Sequence, residues 1–214
     1  MNQAERYTRL ADFVRDRLER MAQSYPNANH DPVYRWEHTL RVAQYGQQIA
    51  LAEGADVEQV VVGCLLHDVA HFDPLESYKD HGRAGARLSR PLLVDLGYSP
   101  AQVKSICYAI AVHVDGKSEF EHPHTLEADI VSDADNVDRF GAYRILQWCL
   151  PEMGDFSALA RKLRQRVTQL EGYLANNPLE TATGRALFAQ QLQRQVTFFK
   201  DLIAEYDLSR PPVR

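Results

Sequence analysis

Apolar positions recur along this chain at three- and four-residue spacing, the pattern of helices that bury one face. Leu10, Phe13, Val14, Leu18 and Met21 form one stripe in a helix expected from about Ala4 to Ala22. A loop rich in Pro, Asn and Asp follows over Tyr25–Pro32. A second helix is expected from about Tyr34 to Ala52, with Gly54 placed to end it. Asp56 then caps a third helix, with Gln59 at the capping-box position. That helix is almost continuously apolar from Val60 to Leu66, which predicts a central, buried element. Phe72–Asp80 reads as loop, and a fourth helix covers about His81–Leu96 before Gly97. Ser99-Pro100, an N-cap followed by a proline at the first helical position, starts a fifth helix reaching about Val114. Polar Asp115–His124 reads as a surface loop, and one helix is expected from Leu126 into the 140s. Past the breakers Pro151 and Gly154, helices are expected near Phe156–Ala175 and Thr181–Tyr206, with a frayed tail at Pro211-Pro212. No alternating strand pattern of useful length, repeat or low-complexity tract is evident. The fold class expected is all-α.

The length, 214 residues, suits one domain or one domain with a helical extension. A chain that is 45% hydrophobic can bury a real core at this length without disulfides or a structural metal. Any metal is therefore expected to serve chemistry. The net charge of −5 argues against nonspecific binding to a nucleic acid polymer, which needs a basic surface. Small anionic substrates stay open, because a bound cation and a few local Arg or Lys reverse the field inside one cleft. Cys64, Cys107 and Cys149 are odd in number and form no CxxC, so reduced thiols are expected. The start MNQAERYTRL lacks the apolar core of a signal peptide, and no stretch is long enough to span a membrane. These features point to a cytoplasmic protein with no membrane partner.

Candidate chemistry lies in where the histidines and aspartates fall. His38 shares a helical stripe with Val42, Tyr45 and Ile49. His113 ends the stripe Val103, Ile106, Ile110, and His81 opens the stripe His81, Ala84, Leu88. His67 and Asp68 close the most hydrophobic helix, and Asp135 follows Val131 on its own helix. A lone histidine on an apolar face is more often a hydrogen-bonded core residue than a ligand. Several ionisable groups on core-facing stripes of different helices are another matter. Burying each unpaired is costly, whereas burying them around a shared cation is tolerable. The mixed nitrogen and oxygen donor set suits Mn, Fe, Co, Ni, Zn or Mg, without distinguishing among them.

His38, then His67-Asp68, then Asp135 resembles the H…HD…D signature of the HD-domain superfamily. Trp36-Glu37-His38-Thr39-Leu40-Arg41-Val42 resembles the first-histidine helix, Cys64-Leu65-Leu66-His67-Asp68 the "LLHD" element, and Asp133-Ala134-Asp135-Asn136-Val137-Asp138 the "DADxxD" element. His81 with Ala84-Gly85-Ala86, and Ala109-Ile110-Ala111-Val112-His113, look like intermediate segments of small bacterial HD hydrolases. The resemblance covers roughly Tyr34 to Tyr206. It implies a single HD-type helical domain over 1–214, with a core of about 34–150. The N-terminal helix 4–22 and a C-terminal extension, helices 156–206, would pack on that core. It implies a divalent metal on His38, His67, Asp68 and Asp135, with Asp133 as the fallback for the last. His81 and His113 resemble the histidines that hold a second metal in dinuclear members.

The activity implied is metal-dependent hydrolysis of a phosphate ester or anhydride, with a small phosphorylated substrate, a nucleotide by family analogy. Asp68, His81 and His113 are the catalytic candidates, imidazole being suited to proton transfer near neutral pH. Lys79, Arg83 and Arg139 are candidates for the substrate's phosphate. Arg83 has a plainer alternative in pairing with Asp80 or Glu76. His71 stands where some nucleotidase members carry a glutamate; pointing into the cleft it would serve as general acid or base, and the plainer expectation is a surface histidine at a helix end. Two other readings are an HD-fold dinuclear iron oxygenase and a noncatalytic nucleotide-binding regulator.

Overall fold

The structure, a computed structural model, describes residues 2–26, 31–74, 77 and 79–209. Among these residues it is all-α, with no strand. The chain forms two compact units, Met1–Asp138 and Arg139–Arg214.

The first unit contains α1 (Gln3–Ser24), α2 (Pro32–Glu53), α3 (Val57–Leu66), α4 (His81–Asp95), α5 (Pro100–Val112) and nearly all of α6 (Leu126–Arg139). Side-chain caps start these helices where the sequence suggests. Asp31, Asp56 and Ser99 each accept a backbone N–H of the first turn, and Ser99 with Gln102 closes a full capping box. Gly54 ends α2 in the left-handed conformation (φ 75°), which a glycine adopts without the usual side-chain clash. The expected loop at Tyr25–Pro32 lies partly outside the described residues, as do part of Phe72–Asp80 and the tail Pro211-Pro212.

Helix α3 is the centre of this unit and packs against α1, α2 and α5, while α4 pairs with α5. Val60, Val62, Cys64 and Leu66 are fully buried. Each such aliphatic side chain contributes about 1.5–3 kcal/mol relative to exposure. Glycine permits the closest approach. A Cβ on Gly82 of α4 would lie 2.9 Å from the carbonyl oxygens of Ile110 and Ala111 on α5. Its absence lets the start of α4 press against the end of α5.

The second unit contains α7 (Ala142–Cys149), a single 3-10 turn (Leu150–Glu152), α8 (Phe156–Ala175) and α9 (Ala182–Leu208). Leu159, Leu163 and Leu170 of α8 and Phe188, Leu192 and Phe199 of α9 form its core. One element differs from expectation. The single helix expected from Leu126 into the 140s is broken after Arg139. Gly141 is extended (φ −69°, ψ −179°) and starts α7 afresh. The Arg144 Nε–H donates to the Arg139 carbonyl at 2.9 Å, satisfying an acceptor that the break leaves open.

Candidate metal centre

Five helices of the first unit deliver ionisable side chains to one buried point. His38 comes from α2, His67 from the end of α3, His81 from the start of α4, His113 from the end of α5, and Asp135 from α6. Asp68 follows His67 directly. All six are at least nine-tenths buried.

Hydrogen bonds set which ring nitrogen faces inward. Carboxylates and carbonyls only accept, so a ring nitrogen bonded to one carries the proton. His38 Nδ1 donates to Asp138 Oδ2 at 2.7 Å. His67 Nδ1 donates to the Cys64 carbonyl, and His113 Nδ1 to the Ile110 carbonyl, both at 2.7 Å. Each arrangement turns Nε2 toward the centre. The Nε2 atoms of His38 and His67 stand 3.3 Å apart, and those of His81 and His113 3.2 Å apart. In the His38–His67 pair, where both Nδ1 positions are protonated, two neutral imidazoles would present lone pairs to each other. Such a meeting is favourable only around a proton or a cation.

Asp68 joins the two pairs. Its Oδ2 lies 3.5 Å from His38 Nε2 and 3.3 Å from His67 Nε2. Its Oδ1 lies 3.0 Å from His81 Nε2 and 3.9 Å from His113 Nε2. Asp135 Oδ1 completes the first group, 3.2 Å from His38 Nε2 and 3.8 Å from His67 Nε2. Two sets of donor atoms are each clustered within 4.8 Å: His38, His67, Asp68, and Asp68, His71, His81. The donors are nitrogen and carboxylate oxygen from α2, from the end of α3 and the turn after it, and from the start of α4, a set that fits a divalent metal.

The electrostatics are those of a cation site. Burial works against a charged His38, yet the hydrogen bonds it donates to Asp135, Asp138 and Asp68 hold its pKa well above the usual histidine value. Burial also opposes ionised Asp68, but His67, Arg35 and His71 outweigh it and keep the carboxyl well below the usual range. His113 goes the other way. Burial, then the neighbouring His67 and His81, lower its pKa to about 3. The His113 ring is thus neutral near pH 7, a lone-pair donor.

Four residues outside the expected set also shape the site. Asp138 takes the His38 proton on one side and the Arg41 guanidinium on the other, Arg41 Nε at 2.7 Å and Nη2 at 3.3 Å. Arg35 donates to Asp68 Oδ2 at 2.5 Å and to His71 Nε2 at 2.7 Å. His71, expected at the surface, is instead half-buried with Nδ1 3.4 Å from Asp68 Oδ1. The signal for Arg35, Arg41 and Asp138 was spacing: each stands three residues from His38 or Asp135 on the same helix face. The same geometry separates Asp135 from Asp133, since residues two apart point to opposite sides of a helix.

The cations expected to hold phosphate have varied surroundings. Arg83 donates to Asp80, to Asp115 at 2.8 Å and to the Lys79 carbonyl at 2.9 Å, so the pairing with Asp80 is realised. Glu76, the other partner considered, lies outside the described residues. The Lys79 side chain is exposed in the turn before α4, and Arg139 is the half-buried last residue of α6.

Residues 35–139 match the family model described as the HD domain, and this segment of the chain is an HD domain. Solved structures extend the likeness of fold to nearly the whole chain. A predicted HD superfamily hydrolase from an uncultured Thermotogales bacterium is 23% identical, with a TM-score of 0.67 over 96% of this chain and 99% of that one. An HD-superfamily hydrolase from Bacillus thuringiensis is 17% identical, with a TM-score of 0.65 over 96% and 99%. Bacillus subtilis YpgQ, solved in complex with ADP, is 20% identical, with a TM-score of 0.58 over 97% and 98%. No curated protein matches the chain significantly in sequence. Among the described residues no helix is long and apolar enough to cross a membrane.

Proposed function

We propose that this protein is a metal-dependent phosphohydrolase whose substrate is a small phosphate ester or anhydride, a nucleotide in particular. One observation carries the reading: Asp68 reaches the His38–His67 pair with one carboxylate oxygen and the His81–His113 pair with the other. His38, His67, Asp68 and Asp135 would hold one divalent ion, and His81 and His113, sharing Asp68, a second. A divalent ion so held supplies a water of lowered pKa and polarises a phosphoryl oxygen. The residues themselves divide the remaining work. Asp138 and Arg41 keep His38 oriented, and Arg35 fixes Asp68 while reaching His71. Neutral His113 suits electron-pair donation; with one ion bound, His81 and His71 are the candidates to move a proton to the leaving group, and with a second ion on His81 and His113 that task would fall to His71. Lys79, Arg83 and Arg139 are the candidates to meet substrate charge, with Arg83 already shared by Asp80 and Asp115. The ADP held by YpgQ supports a nucleotide as the substrate class, on likeness of fold. Cys64, Cys107 and Cys149, free of disulfides, accord with a reducing, cytoplasmic setting.

Elemental analysis of the purified protein beside Asp68→Ala, followed by a phosphate-release screen over nucleotides, tests this. Bound divalent metal that the variant loses, with phosphate or pyrophosphate released by the wild type alone, is the expected result. Iron with oxygen consumption and no phosphate release replaces it with the oxygenase. Metal-free protein indifferent to Asp68→Ala removes the metal centre altogether.

A further inference from the structure

The second unit contains a buried charge that its described side chains leave unneutralised. Arg166 of α8 is 7% exposed, and among the described residues no carboxylate pairs with it. Its Nη1 donates to Gln169 Oε1 at 2.6 Å, while its buried Nε has no hydrogen-bond partner. The guanidinium lies over two aromatic rings, 5.0 Å from the centre of Phe140 and 4.9 Å from that of Trp148. Cation–π attraction offsets only part of the cost of burying a charge.

A second guanidinium adds to that cost. Burial first, and the charge of Arg144 second, pull the Arg166 pKa down to about 10. Arg144, half-buried on α7, spends its Nε–H on the Arg139 carbonyl, and no carboxylate among the described residues pairs with it. Lys162 also approaches Trp148, at 5.4 Å, but Glu152 answers it at 3.0 Å. Arg144 stands one helical turn before Trp148 on α7, and Trp148 is the ring 4.9 Å from the Arg166 guanidinium, so two cations flank one indole and, among the described residues, neither meets a carboxylate.

We propose that Arg144 and Arg166 form a binding site for a phosphoryl group, built in the second unit from residues outside the His/Asp centre. Guanidinium groups present paired N–H donors that match phosphate oxygens. A phosphate dianion balances both charges, whereas a single carboxylate balances one. Trp148, in contact with Arg166, reports occupancy.

The test is the emission of Trp148 in the metal-loaded, full-length Trp36→Phe protein, titrated with orthophosphate and separately with a non-hydrolysable nucleoside diphosphate analogue. A saturable change is expected. Arg144→Gln should raise the apparent Kd about tenfold or more, the loss of a charge-assisted contact. Asp68→Asn, which disables the metal centre, should leave the response in place. Saturation by orthophosphate assigns the site to the free anion, and saturation by the analogue alone assigns it to the phosphoryl group of a nucleotide. Arg166→Met serves as the second variant where it folds; half-buried Arg144 decides the matter where it does not. The proposal is overturned by no saturable response to either probe, by unchanged affinity in Arg144→Gln, or by a response that Asp68→Asn abolishes. Arg166 would then be an aromatic-stacked structural group.

Discussion

Asp138→Asn is the most informative single change at the metal centre, because Asp138 touches no expected donor except through His38. In the wild type its carboxylate accepts the His38 Nδ1 proton at 2.7 Å and two N–H groups of Arg41 at 2.7 and 3.3 Å. Asparagine preserves the shape but turns one acceptor into a donor. Whichever way the amide lies, either His38 or Arg41 then faces an N–H group. Loss of such an outer hydrogen bond typically lowers metal affinity about 10- to 100-fold, roughly 1.4–2.7 kcal/mol. A second effect runs in the opposite direction. Asp138 is one of the carboxylates that raise the His38 pKa, so its neutralisation weakens proton competition for Nε2. The deficit should therefore be small near neutral pH and reach its full size in alkaline solution, where the proton no longer competes. Competition titration with a chromophoric chelator at two pH values measures both. Wild-type affinity at the alkaline pH would show that Asp138 does not orient His38, and the reasoning would fail.

Two further outcomes follow from the same geometry. In metal-free protein the unfolded His113 imidazole takes a proton at about 6.5, whereas the folded one does so only at about 3. The unfolded state holds more protons across that window, so stability rises with pH through it; His113→Asn should flatten this part of the denaturation-against-pH curve, and an unchanged curve would refute the assignment. Gly82→Ala places a methyl group 2.9 Å from two α5 carbonyl oxygens, so it should cost about 1–3 kcal/mol in thermal unfolding. It should also part His81 from His113, lowering metal stoichiometry if those two hold a second ion, while the His38–His67 group keeps its own.

Much of this architecture is legible along the chain. Val60–Leu66 reads as a buried helix because its apolar run is local information, and Ser99-Pro100 marks a helix start through chemistry confined to four residues. The break at Gly141 was not legible. Glycine alone does not stop a helix, and the Arg144 side chain that satisfies the Arg139 carbonyl comes from beyond the break. The donor set is legible from stripes and from resemblance. Its wiring is not: Asp138 lies 100 residues from His38 in sequence, and Arg35 lies 33 from Asp68.

By itself the sequence determined a run of amphipathic helices with histidines and aspartates on core-facing stripes, and therefore an all-α fold able to gather donors. Periodicity and capping act within one or two helical turns, so they survive in the order of residues. Only the tertiary structure decided which nitrogen of each histidine faces inward, that Asp68 reaches both histidine pairs, and that Arg166 meets no carboxylate among the described residues. Tautomer, bridging and charge balance are properties of groups brought together from distant positions. Their energies depend on separations of a few ångströms inside a buried space, which the order of residues alone does not fix.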